Sequence, residues 1–98
     1  MHFRFADAKL ERLYVEPNYA AGYGLNIVKA FRKVMGLIRN APTEQDFYRM
    51  KSTHYEKLKG KRDHQRSIRL NDQFRLIVEI ESAHERTVVV IAIEKHYE

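Results

Sequence analysis

Two arginines, a histidine and a tyrosine stand where they could do chemistry in this 98-residue chain. Arg69 and Arg75 lie in two alternating segments separated by a turn, and His96-Tyr97 ends an apolar run. Permanent cations beside an imidazole and a phenol form a usable set for cleaving a phosphodiester without a metal. A neutral base takes the proton from a ribose 2′-hydroxyl, cations stabilise the pentavalent phosphorane, and an acid protonates the leaving 5′-oxygen. Histidine, with an unperturbed pKa of roughly 6.5, suits either proton role. Tyrosine can stack on a base, or act as a base where surrounding cations lower its pKa. A terminal His-Tyr pair fits a frayed tail equally, and outward arginines fit an ordinary solvated face, so residue types alone leave these readings open.

Competing chemistries find less. The chain has no cysteine, which removes disulfide frameworks, thiolate zinc sites, iron–sulfur clusters and cysteine nucleophiles. His54, His64, His84 and His96 show no metal-ligand spacing, and no acidic pair flanks them in a metal motif, so neither metal nor cofactor is expected. Ser67 lacks the glycines of a nucleophile elbow. Gly22-Tyr23-Gly24 is half of a dinucleotide fingerprint, but no strong strand precedes it and no third glycine follows at the required spacing. It reads as a turn into a helix.

The charge is unevenly placed. Lys and Arg number 18 against 13 Asp and Glu, a formal net charge of +5. Residues 51–75 contain Lys51, Lys57, Lys59, Lys61, Arg62, Arg66, Arg69 and Arg75 against only Glu56, Asp63 and Asp72, and the rest of the chain is balanced. A positive excess confined to one segment is the footprint of a polyanion binder, although a solvated charged face has the same composition. The length fits a single domain over residues 1–98, and a hydrophobic fraction of 44% suffices for one modest core. No apolar run approaches the roughly 20 residues of a spanning helix. The start, Met1 to Asp7, lacks the apolar stretch of a signal peptide, so a cytoplasmic protein without membrane association is expected.

Periodicity supplies the elements that must position these groups. His2-Phe3-Arg4-Phe5 alternates weakly and predicts a short strand at a sheet edge. Asp7 caps a helix from Ala8 to about Val15 that buries Leu10, Leu13 and Tyr14, and Pro17 follows its end. From Leu25 to Arg39, Leu25, Val28, Phe31, Met35 and Ile38 recur at helical spacing, widened by Ile27, Val34 and Leu37. Pro42 breaks that helix, and Thr43 to Asp46 begins a short helical turn. Tyr55 to Leu58 reads as a strand, Gly60 to Gln65 as a polar connector, and Arg66 to Leu70 and Phe74 to Ile80 as a hairpin turning at Asn71-Asp72. Ser82 to Glu85 makes the next turn, and Thr87 to Ile93, continuously apolar, predicts a central strand covered on both faces. The expected fold is α+β: an N-terminal strand and two helices packed on a mainly antiparallel sheet of three to four further strands. Alternation places Arg69 and Arg75 on the face opposite Ile68, Leu70, Phe74, Leu76, Val78 and Ile80.

From Leu58 through Leu76 the order Leu-x-Gly-x-Arg-x-x-x-x-Ser-Ile-Arg-x-Asn-Asp-Gln-aromatic-Arg-Leu resembles the HigB branch of the RelE/ParE toxin superfamily, the plasmid maintenance killer proteins. The likeness spans essentially the whole chain. It implies a RelE-like fold and the toxin of a type II toxin–antitoxin pair, acting as a ribosome-dependent, metal-independent endoribonuclease that enters the A site and cuts translated mRNA. By motif position, Arg75 matches the arginine that stabilises the transition state, Arg69 the basic position at the scissile phosphate, and His96 and Tyr97 the terminal pair for proton transfer and stacking. His54 sits near an upstream catalytic histidine of that family. Lys57, Lys59, Lys61, Arg62 and Arg66 match positions that would hold ribosomal and messenger RNA phosphates. Relatives often end Asp-Tyr-His; here the aromatic and the imidazole are reversed, so the acid and base roles stay open. The resemblance also implies a helix-turn-helix antitoxin of the HigA kind, with operator DNA reached only through it. A ParE-like inhibitor of DNA gyrase that cleaves nothing is the alternative within the superfamily.

Overall fold

A computed structural model of the protein describes residues 1–82 and 86–95. In chain order the elements are β1 (His2–Phe5), α1 (Ala8–Val15), α2 (Leu25–Asn40), α3 (Gln45–Arg49), β2 (Glu56–Lys57), β3 (Gln65–Arg69), β4 (Phe74–Glu81) and β5 (Thr87–Lys95). Single 3₁₀ turns lie at Lys51–Thr53 and Gly60–Arg62. The strands form one mixed sheet in the order β1-β5-β4-β3-β2, with β1 parallel to β5 at one edge and the remaining pairs antiparallel. The α+β expectation and its edge strand are what the fold contains.

The helices cover one face. Asp7 accepts a hydrogen bond from the Lys9 backbone N–H at 2.7 Å and starts α1. Leu10 and Leu13 of α1, with Val28, Phe31, Val34, Met35 and Ile38 of α2, pack on Ile68, Leu76, Val78, Val88 and Val90. Phe47 of α3 closes the end of this core. Leu25 departs from the expected stripe and is 72% exposed. A helical side chain leans toward the turn N-terminal to its own Cα; for the first residue of α2 that turn is only the exposed Gly24.

Strand β5 is longer than expected and lies between β1 and β4. Its pairing with β4 jumps from Ile77↔Ala92 to Val78↔Val90, leaving Ile91 as a bulge. That extra residue shifts the alternation of faces along β5 by one position. Val89 and Ile77 are buried as well, although they face away from the helices. Burial on both faces is therefore right, but side chains, not helices, cover the second face. The β3–β4 hairpin turns through Leu70 to Gln73, where Asn71 Oδ1 accepts from the N–H groups of Gln73 and Phe74 at 2.9 and 2.8 Å. Among the described residues no helix is long and apolar enough to cross a membrane.

Candidate active site

Where β3 and β4 pair, Arg69 stands directly opposite Arg75 on the face away from the helices. The next residues inward are Ser67 and Ile77, and Glu94 of β5 lies opposite Arg75 on its other side. Like charges facing each other across a strand pair are unfavourable. Each arginine accordingly has an acid: Arg69 pairs with Asp72 in the turn, and Arg75 Nη2 lies 3.9 Å from Glu94. Arg75 Nε is buried without a hydrogen-bond partner.

The two arginines line a cleft of about 310 Å³ with His54, Glu56, Ser67, Asn71, Asp72 and Phe74. His54 reaches it from an unusual backbone. It follows the Lys51–Thr53 turn with φ 44° and ψ 48°, the left-handed region that few residues other than glycine occupy. Its neighbours hold it there. The Thr53 hydroxyl, buried, donates toward the carbonyls of Phe47 and Met50 at 2.7 Å each. On the other side Tyr55 is buried against Phe47, and its hydroxyl donates to Glu44 Oε2 at 2.7 Å. The Glu44 carboxylate, 7% exposed, is flanked in addition by Arg66 Nε at 3.6 Å and Arg86 Nη1 at 3.4 Å. One buried carboxylate therefore ties α3, the His54 segment, β3 and the start of β5 together.

Burial pushes the Tyr55 phenol far above its ordinary value of 10.0, reinforced by its hydrogen bond to Glu44. A raised phenol pKa means that the fold favours the protonated form. Its stabilising contribution is complete below the ordinary value and is lost as pH climbs toward the folded one. In an alkaline absorbance titration Tyr55 is expected to ionise last, together with loss of the native circular dichroism. Ionisation of every tyrosine in one early step, with the fold intact, would contradict this.

The remaining basic residues divide. Lys57, Lys59 and Lys61 are exposed along β2 and the turn after it, and Lys57, paired with Arg66, stands on the opposite face of the strand from the cleft residue Glu56. That turn begins at Gly60, whose φ of 67° favours glycine although a Cβ would meet no atom within 4 Å. Arg62 instead grips Glu94 with Nη1 at 3.0 Å and Nη2 at 2.7 Å, and its Nε donates to Gln65 at 2.9 Å. The hydrogen bonds to Glu94 raise the Arg62 pKa. Arg62 thus lies over β4, where Ile77 is fully buried. Arg66 turns to the helix side, toward Glu44 and the Asp63 carbonyl. The structure therefore brings His54, Arg69 and Arg75 together and sets Arg62 and Arg66 apart from the exposed lysines. His96 and Tyr97 lie outside the described residues; the described part of β5 ends at Lys95, opposite Phe74.

Glu56, the cleft's carboxylate from β2, was not singled out by sequence. The two-residue length of β2 left no periodicity to assign its face; only its pairing with Ser67 reveals it. Among the described residues, no group of three His, Asp or Glu side chains gathers as a metal site.

Comparison with known proteins bears on this arrangement. No curated protein matches the chain. Among solved structures, a YoeB/ParE toxin from Agrobacterium tumefaciens is similar, with a TM-score of 0.59 over 99% of this chain and 100% of that one. At 18% identity that likeness concerns the fold. The family model "HigB-like toxin: RelE-like toxin of type II toxin-antitoxin system HigB" matches residues 3–96. With a match from the first strand through the last, the chain belongs to the HigB-like toxins, the RelE-like toxins of type II toxin–antitoxin systems.

Proposed function

We propose that this toxin arrests translation as an endoribonuclease that cuts mRNA on the ribosome by attack of a ribose 2′-hydroxyl, without a catalytic metal. The observation that carries the reading is the register pair Arg69↔Arg75 at a cleft that also receives His54. Two guanidiniums held face to face are stabilised by an anion between them, and a scissile phosphate is such an anion. The 2′-oxygen bonds to phosphorus, the bond from phosphorus to the 5′-oxygen breaks, and the electron pair leaves on that oxygen. One protein group takes the 2′-hydroxyl proton and another protonates the 5′-oxygen, leaving a 2′,3′-cyclic phosphate and a 5′-hydroxyl. His54 supplies one proton-transfer group. His96 supplies the other, and Tyr97 stacks on a base or assists the proton transfer. Arg69 and Arg75 stabilise charge on the phosphorane, while Lys57, Lys59 and Lys61 hold flanking phosphates.

Membership in a type II family implies a cognate antitoxin. In the proposed arrangement it is a helix-turn-helix protein of the HigA kind, through which alone operator DNA is reached, and the toxin acts in the cytoplasm. The test is a reconstituted translation reaction with purified toxin, mapping mRNA ends and their termini. Cuts confined to translated message, ending in a 2′,3′-cyclic phosphate, are the expected result. His54→Ala is expected to slow cutting by roughly 10²-fold or more, the usual scale for a proton-transfer group. Intact message together with blocked supercoiling by DNA gyrase would overturn the reading in favour of a ParE-like poison.

A further inference from the structure

Glu94 stands between two guanidiniums and is fully engaged by one. Arg62 holds both of its oxygens, at 3.0 and 2.7 Å, and is steadied by Gln65 on β3, which in turn donates to Glu79 at 3.1 Å. Arg75, the strand neighbour of Glu94, receives only an approach of 3.9 Å, and its buried Nε has no hydrogen-bond partner. An arginine–carboxylate fork is the strongest geometry available to either cation. If Glu94 formed that fork with Arg75, the cleft would lose the cation it presents to an anion.

We propose that Arg62 is a positioning residue that clamps Glu94 and so keeps Arg75 free to bind a phosphate. This assignment replaces direct RNA contact as the role of Arg62, and it rests on the reading of the cleft as a phosphate site. Glu94 remains close enough to orient Arg75, yet is prevented by the Arg62 fork from neutralising it. Without Arg62, the carboxylate swings onto Arg75 and closes the anion site from within.

The experiment is a mutant cycle on Arg62 and Glu94 with two readouts: binding of an uncleavable 2′-deoxy trinucleotide, and cleavage of translated mRNA. Arg62→Ala is expected to weaken binding and slow cleavage by about tenfold or more, and adding Glu94→Gln to restore both to within about threefold of wild type. Arg62→Lys keeps the charge but cannot make the fork; it is expected to show a smaller loss with the same rescue, and guards against a misfolded alanine variant. Wild-type behaviour of Arg62→Ala would overturn the inference. So would a double variant no better than the single one, which is the pattern of an arginine that contacts RNA itself or merely supports the fold. If binding follows the predicted cycle while wild type cuts no message, the nuclease reading fails and the clamp stands. If wild type does not bind the trinucleotide, both fail.

Discussion

Arg75→Ala is expected to lower mRNA cleavage by about 10²- to 10³-fold while leaving the melting transition close to wild type. That is the scale for removing one preorganised donor from a charge-developing transition state. The arginine sits with little solvent around it, its side chain 22% exposed, so its field at the cleft is poorly screened. Removing it costs the fold little, because Arg75 adds an unfavourable like charge opposite Arg69 and meets Glu94 only at 3.9 Å. Arg75→Lys keeps the charge but loses the planar fork, and is expected to recover only part of the activity. Single-turnover cleavage kinetics, with thermal melts of each variant, provide the check. Cleavage within threefold of wild type for the alanine variant would remove Arg75 from the mechanism.

The second large effect falls on stability. Glu44→Ala is expected to destabilise the protein by roughly 3 kcal/mol, because it leaves the buried Tyr55 hydroxyl without its acceptor and takes the carboxylate away from the guanidiniums of Arg66 and Arg86. For a domain of this size that corresponds to a fall in Tm of about 15 °C. Tyr55→Phe removes one hydrogen bond and leaves the ion pairs, so its loss should be about 1 kcal/mol. The difference between the two isolates the charge on Glu44. Since that carboxylate anchors the segment bearing His54, cleavage is expected to fall in Glu44→Ala even at temperatures where the variant is folded. Denaturant titration of both variants measures the energies. Equal losses in the two would show that the Arg66 and Arg86 contacts contribute nothing.

Much of the scaffold was legible in the sequence because burial imposes period. Leu10, Leu13, Val28, Phe31, Met35 and Ile38 repeat at helical spacing, and Ile68, Leu76 and Val78 alternate, since each pattern must meet the same core. The pattern misled where its premise failed. Leu25 has no turn behind it to cover, whereas the continuous apolar run of β5 rightly reads as an interior strand buried on both faces. Arg69 and Arg75 were legible as cleft residues because the hairpin's alternation assigns their face, whereas Arg66 was grouped with the exposed bases although the same alternation turns it toward the helices.

The amino-acid order alone determined the α+β arrangement, the hairpin that opposes two arginines, and the positive excess of residues 51–75. All of these follow from local periodicity, turn chemistry and composition, which need no knowledge of distant neighbours. Only the tertiary structure decided which charges remain free. Arg62 meets Glu94 across 32 residues of sequence, and Tyr55 meets Glu44 across 11. A charge's availability depends on the acid beside it and the water removed from it, and both are set by packing between segments whose separation in sequence says nothing of their distance in space.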